Sequence, residues 1–400
     1  MLNFEASPAA LARGLAALSG VTGARNTIPI LYNVRLDGQT ATQRLVATVT
    51  DMDLESTVEI EANVRDSGST TASYRQLCRI AGNFRESSAI ELRDDEDAGR
   101  MHVSAALSGL DLGLDDGAFK ATVRTLPTVD FPAMRALHAT VTVTATAGEW
   151  LKVLECLRPF ISTEPTRFYL NGVHLAMMPG ADGRYRWEAA ATDGHILGRV
   201  RFGIPGHVPF GGEGFIIPRA AVLHMIQRLR LVPAGDDVTM DIGDGGISVR
   251  FPGRASGTMV SKLIDGTFPD YNRVIPDQTN AVADIDSRRL GKVIRTAVGA
   301  SGAKTPSATI KLGLSTVMDF MLNGDGDETE KTASVPLPIC WGAGSLEIGM
   351  NLKLLTHGLA MMDGGEAKMQ VTDGASPVRF DAVAPPDGME RTAVAMPMRV

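Results

Sequence analysis

The chain repeats itself with a period of about 140 residues, and this repeat narrows its possible folds more than any other feature. A helical pattern opens after Ser7-Pro8, with Leu11, Leu15 and Leu18 on one face. A second opens at GEWLKVLECL with Leu151, Leu154 and Leu157, and a third at DSRRLGKVIRTAV with Leu290, Val293, Ile294 and Ala297. Ser7 and Ser287 are the expected N-caps, since their hydroxyls can accept from the unpaired N–H groups of a first turn. A proline and a strand-like run follow each time, starting at Ile28, Pro165 and Pro306. Each third then carries a second helical pattern, from Ser73, Pro218 and Asn351, about 64 to 70 residues after the first. The expectation is an α+β protein of three similar domains, each with two helices packed on antiparallel sheets. Proline and charge interrupt the pattern so as to place the domains at 1–137, 138–277 and 278–400.

Charge is sorted along this frame. Arg288, Lys292 and Arg295 fall on one face of their helix, opposite Leu290 and Ile294. Arg75 and Arg79 lie one turn apart, with Leu77 and Ile80 turned away. Lys152, Arg158, Arg219, Arg228, Arg230 and Lys353 add to the basic helical set, while acids crowd 93–99, 110–116 and 324–330, which read as solvated loops. The net charge is −7, so any surface for nucleic acid must be local rather than a property of the whole chain. Helix-borne lysines and arginines reach phosphate oxygens and carry no base code, so such a surface would be blind to sequence.

Other classes are disfavoured. Cys78, Cys156 and Cys340 are odd in number and far apart, which suits a reducing cytoplasm better than a disulfide frame or a zinc site. The first residues lack the basic and apolar regions of a signal peptide, and no apolar run approaches the roughly 18 residues that span a bilayer. Asp193 and His195 in ATDGHILGR could suggest acid–base chemistry or a plain Asp-Gly turn. No nucleophile, metal-ligand partner or phosphate loop accompanies them, so neither an enzyme nor a cofactor is expected. The final AVAMPMRV is apolar where a terminus is more often polar and loose.

ATDGHILGR at 191–199, SKLIDGTFPDYNRVIP at 261–276 and the closing MPMR, supported by RTLPTVDFP, RFYLNG and LEIGMN, resemble the bacterial DNA polymerase III β subunit, the sliding clamp family. The resemblance runs through all three thirds in the family's order. It implies two chains closing head to tail into a ring, helices lining the hole, with double-stranded DNA encircled without sequence preference. It also implies a groove between the second and third domains. That groove would receive peptides of the replicative DNA polymerase, the clamp loader, and repair and translesion polymerases. Position by position, the pocket would hold Leu170, Thr192, Gly194, His195, Leu197, Pro269, Arg273, Val274, Val394, Met396, Pro397, Met398 and Arg399. The DNA-facing set would be Arg25, Arg75, Arg79, Lys152, Arg219, Arg288, Lys292 and Arg295.

The chain departs from the family pattern at Ile196, where an arginine is usual, and in small side chains at the expected dimer edges, Ala121 to Val123 and Val298-Gly299. Those small edges motivate a second reading, a clamp-derived paralogue that serves as an interaction hub without encircling DNA. No membrane partner is expected under either reading.

Overall fold

The computed structural model describes residues 1–22, 27–84, 89–106, 118–135, 137–179, 185–203, 214–243, 245–301, 307–312, 317–323, 331–336 and 346–398. Among them are the six helices the repeat predicts: α1 (Pro8–Ala17), α2 (Tyr74–Asn83), α3 (Ala147–Leu157), α4 (Arg219–Leu229), α5 (Ser287–Ser301) and α6 (Leu352–Met361). Their starts are fixed locally. Ser7 Oγ accepts from Ala10 N at 3.0 Å, Ser73 Oγ from Gln76 N, and Asn351 Oδ1 from Lys353 N. Thr146 and Glu149 exchange bonds in a capping box at the head of α3. Ser287 does not cap α5. Its hydroxyl donates to the Gly365 carbonyl, and Asp286 accepts from Arg289 N at 2.9 Å instead. A carboxylate there also meets the positive end of the helix dipole.

Two of the strand-like runs begin one step later than their composition suggests. Pro29–Tyr32 and Pro165–Leu170 form 3-10 turns, and the strands start at Asn33 and Gly172. Proline fixes φ and removes a donor, so it suits the first position of a helical turn better than a ladder. The acidic stretch at 93–99 is not all solvated loop either. Asp94 lies in strand Ile90–Asp95, buried, accepting from Thr70 Oγ1 at 2.9 Å. The acidic stretches at 110–116 and 324–330, and Cys340, lie outside the described residues.

The chain divides into two compact units, Met1–Leu151 with Ala220–Leu263, and Lys152–Arg219 with Ile264–Val400. The first holds a five-stranded and an eight-stranded antiparallel sheet. In the larger sheet, strand Leu54–Glu61 pairs with Gly257–Lys262, two segments some 200 residues apart (Ser261 opposite Leu54). α1 packs on α2 and on strand Leu54–Glu61. Gly14 permits that approach, since a Cβ there would collide with the Ile60 side chain. Strand Ala118–Arg124, which carries Ala121 to Val123, ends the five-stranded sheet.

The second unit holds an eight-stranded and a four-stranded antiparallel sheet. The larger runs Phe215–Pro218, Gly172–Pro179, Tyr185–Thr192, Ile196–Phe202, Glu390–Ala395, Val378–Ala382, Glu366–Val371 and Ala281–Asp286. Strand Ala281–Asp286 alternates buried and exposed, as a strand with one wet face must, while the first six residues of Gly172–Pro179 are buried throughout. α5 packs on α6, and α6 on strand Glu390–Ala395. Each eight-stranded sheet therefore draws on two neighbouring thirds of the sequence.

Candidate functional site

The apolar C-terminal segment enters the second unit as a central strand. Glu390–Ala395 lies between Ile196–Phe202 and Val378–Ala382, with Leu197 opposite Val394. Five of its six residues are buried. Met396 then leaves the sheet while its N–H still donates to the His195 carbonyl at 2.9 Å.

The adjoining turn is built by Thr192 to Ile196. Asp193 Oδ1 accepts from His195 N and Ile196 N at 2.8 and 2.9 Å, Thr192 Oγ1 accepts from Gly194 N at 3.1 Å, and Gly194 has φ +92°. The left-handed conformation explains the glycine. The Asp193 carboxylate is thus a turn-former tied to backbone N–H groups.

A third segment closes the site. Asp270 caps a 3-10 turn over Tyr271–Val274, accepting from Asn272 N. Tyr271 is pressed inward with Ala190, Leu197, Ile275 and Val394, and Phe268 packs on this cluster. The Tyr271 hydroxyl donates to Glu188, whose carboxylate also accepts from Arg201. Glu188 is wholly buried, so its charge requires these partners. Burial, then the Glu188 charge, pushes the Tyr271 hydroxyl well above the usual tyrosine range. Arg199, 3.9 Å from the Glu188 carboxylate, continues the polar chain to Thr392 at 3.2 Å, Thr392 to Asp381 at 2.8 Å, and Asp381 to Arg379 at 2.7 Å. Arg379 donates to the Pro276 carbonyl at 2.9 Å. The segment around Tyr271 is therefore anchored to the sheet at both ends.

These pieces enclose a cavity of about 270 Å³. Of the residues expected from the sequence, Leu170, Thr192, Gly194, His195, Leu197, Pro269, Val274, Val394 and Met396 line it. Tyr169, Ile196, Asp270 and Tyr271 line it as well and were not expected. Arg273 does not; its side chain is exposed and pairs with Asp270 at 3.1 Å. Pro397 and Met398 do not, because the chain moves away to the four-stranded sheet, where Met398 N donates to the Gly349 carbonyl at 2.8 Å. Arg399 lies outside the described residues. The wall is mostly apolar, and Val274 and Met396 remain about two-fifths exposed within it at 41% and 38%. A slot of this size and character suits one or two aliphatic or aromatic side chains of a peptide.

The cationic residues fall into separate groups. Arg75 and Arg79 are exposed on α2, opposite buried Leu77 and Ala81. Arg288, Lys292 and Arg295 are exposed on α5, opposite buried Leu290 and Ile294. Lys152 is exposed but bridges Asp387 at 3.4 Å, and Arg219 is half-buried with Nη1 on the Ile161 carbonyl. Arg25 lies outside the described residues. Arg228, grouped with the exposed set by sequence, is fully buried. Its guanidinium donates to Ser56 Oγ and to the Thr57 and Ala255 carbonyls, and sits 4.6 Å from the Phe251 ring centroid.

Two family models match the sequence. The DNA polymerase III beta subunit N-terminal domain matches residues 2–135 and the central domain residues 150–270, together more than half of the chain. The beta sliding clamp of Caulobacter vibrioides is 28% identical over 394 residues, 98% of both proteins. That of Escherichia coli K12 is 25% identical over 401 residues and the full length of both. Among solved structures, the Caulobacter crescentus pol III beta superposes with a TM-score of 0.85 at 26% identity, covering 100% of both chains. The Bartonella birtlesii sliding clamp, solved bound to griselimycin, gives 0.85 at 25% identity, again over 100% of both. With its fold, its repeated helix pairs and two family domains in order along one chain, this protein belongs to the DNA polymerase III beta subunit family, the bacterial sliding clamps.

Proposed function

We propose that the chain acts as a processivity factor. In this reading three clamp domains, 1–137, 138–277 and 278–400, pair head to tail with those of a second copy to encircle duplex DNA in the cytoplasm. Sliding clamps are not enzymes, and the contact with DNA need only be loose. Arg75, Arg79, Lys152, Arg219, Arg288, Lys292 and Arg295, with Arg25, supply diffuse attraction to phosphate that weakens with salt and permits movement along the duplex. The open edge strand Ala118–Arg124 offers backbone groups for pairing with the second copy.

The replicative polymerase, the clamp loader, and repair and translesion polymerases dock through short peptides in the cavity walled by Met396. The observation that carries this reading is the cavity itself: three segments distant in sequence converge on an exposed apolar slot. Ile196 leaves it without the cationic group an arginine would bring, so binding relies on apolar anchors. A polymerase-derived peptide titrated against the wild type and a chain lacking Met396 to Val400 tests the assignment. Loss of the Met396 wall is expected to weaken binding about tenfold. Equal affinity would remove the terminus from the site.

A further inference from the structure

The frame of the Met396 cavity occurs a second time, in the other unit. Thr50, Asp51, Met52, Asp53 and Leu54 form the same turn as Thr192 to Ile196, sharing four of its hydrogen bonds. Met52 N donates to Thr50 Oγ1 at 3.0 Å, Asp53 N and Leu54 N donate to Asp51 Oδ1 at 3.0 and 2.7 Å, and Asp51 N donates to the Leu54 carbonyl. Met52 has φ +76° where Gly194 has +92°. Methionine rarely adopts this conformation, so the shape of the turn is held against local preference. Lys262 N donates to the Asp53 carbonyl at 2.9 Å, as Met396 N does to His195. Phe131-Pro132 takes the place of Phe268-Pro269, with Phe131 buried against Ile30 and Leu31.

These segments enclose a cavity of about 670 Å³ that none of the family reading uses. Its apolar part comes from Met52, Pro132, Met134, Leu137 and Val260. Its character differs from the first cavity in charge. Lys262 replaces Met396 at the strand end, and Arg135 and His138 join it on the lining. The acids nearby are already engaged. Asp51 holds the turn, Glu55 accepts from Met134 N at 3.1 Å, and Asp53 bridges Lys262 at 2.7 Å. The Asp53–Lys262 pair is mostly exposed, at 77% and 61%, so an incoming carboxylate can exchange for it at little cost.

We propose that this second cavity docks a short peptide of a partner protein in which an aliphatic anchor is flanked by carboxylates. The anchor fits among Met52, Met134, Leu137 and Val260, where flexible methionines adapt to its shape. The carboxylates meet Arg135 and Lys262. A nucleic acid could use the cations but has no aliphatic group for the slot.

The test uses the full chain labelled with 13C at methionine methyls. The probes are a synthetic Glu-Asp-Leu-Leu-Asp-Glu peptide, its counterpart with lysine at every acidic position, and a 20-base-pair duplex. The acidic peptide is expected to shift the Met52 and Met134 signals saturably, and the lysine peptide to leave them in place. Arg135→Glu is expected to weaken that binding about fivefold and Leu137→Ser about tenfold. Arg135 is exposed, so its variant reads the proposal even if Leu137→Ser unfolds. Signals at Met52 and Met134 that stay fixed, that move equally with the lysine peptide, or that move with the duplex would each overturn it. The Met396 methyl reports on the first cavity, so the two assignments fail separately.

Discussion

α4 and α5 both offer a reader of the sequence an amphipathic helix carrying cations, yet they place arginines in opposite environments. On α5, Arg288, Lys292 and Arg295 all reach solvent. On α4, Arg228 is at 0% exposure. The difference lies in how much of each helix is covered. Residues Val222, Met225, Ile226 and Leu229 form one buried stripe of α4, and Ala221, His224 and Arg228 form a second beside it. Two adjacent stripes leave little wet face, and a polar side chain on the second one goes inside. Charge on a helix therefore predicts a surface only when the apolar stripe opposite it is narrow.

Burial of Arg228 is tolerated because both terminal nitrogens donate, to Ser56 and to two carbonyls, leaving only Nε without a partner among the described residues. Ser56 Oγ accepts from Arg228 Nη1 at 2.9 Å and passes its own hydrogen to His224 Nε2 at 2.8 Å. His224 Nδ1 in turn donates to the Ser19 carbonyl at 3.2 Å. This relay fixes the neutral tautomer of His224. Burial brings the Arg228 pKa down to about 10, so the guanidinium stays charged at neutral pH.

The contrast can be broken by substitution. Arg228→Ala should cost about 3–5 kcal/mol in denaturant unfolding, since it leaves a cavity and unpairs two carbonyls. A loss below about 1 kcal/mol would mean the buried cation contributes little to the core. The next effect is in acid. Burial first, and the Arg228 charge second, depress His224 to about 4 from 6.5, against a small opposing contribution from the Ser19 carbonyl. Above pH 6.5 its contribution is complete. Between pH 6.5 and 4 the unfolded chain binds a proton that the folded chain refuses, so stability falls with pH. The loss is on the order of 3 kcal/mol, and His224→Gln should flatten that slope in a pH series of unfolding curves. An unchanged slope would assign it to other groups. The smallest stability change is expected on α5: Arg288→Glu with Lys292→Glu should stay within about 0.5 kcal/mol of wild type. The same variant should be lost faster from closed circular DNA at low salt. Retention equal to wild type would remove these residues from the DNA face.

Much of the local structure was legible beforehand. Six helices fall where apolar spacing and caps placed them, because a helix is set by neighbours three and four residues away. The choice of Asp286 over Ser287 as cap was not legible: both residues can cap, and the Gly365 carbonyl 78 residues away decides between them. Tyr271 shows the same limit at the candidate site. Its motif drew attention, but its role as floor depends on Glu188, 83 residues earlier in the chain. Arg273, Pro397 and Met398 were placed by resemblance to a motif and are not on the lining: Arg273 is exposed beside Asp270, and Met398 pairs with Gly349 of the four-stranded sheet.

The sequence by itself determined the helix faces and the apolar character of the last strand, which are patterns within a few residues, and the threefold recurrence, which is those local patterns repeated along the chain. Only the tertiary structure decided that strands from neighbouring thirds would share sheets, that Glu390–Ala395 would lie beside Ile196–Phe202, and that Arg228 would turn inward. The physical reason is that strand pairing and burial are settled by partners far along the chain. A ladder accepts any strand of suitable length and alternation, and the shared core selects among them by the total area it removes from water.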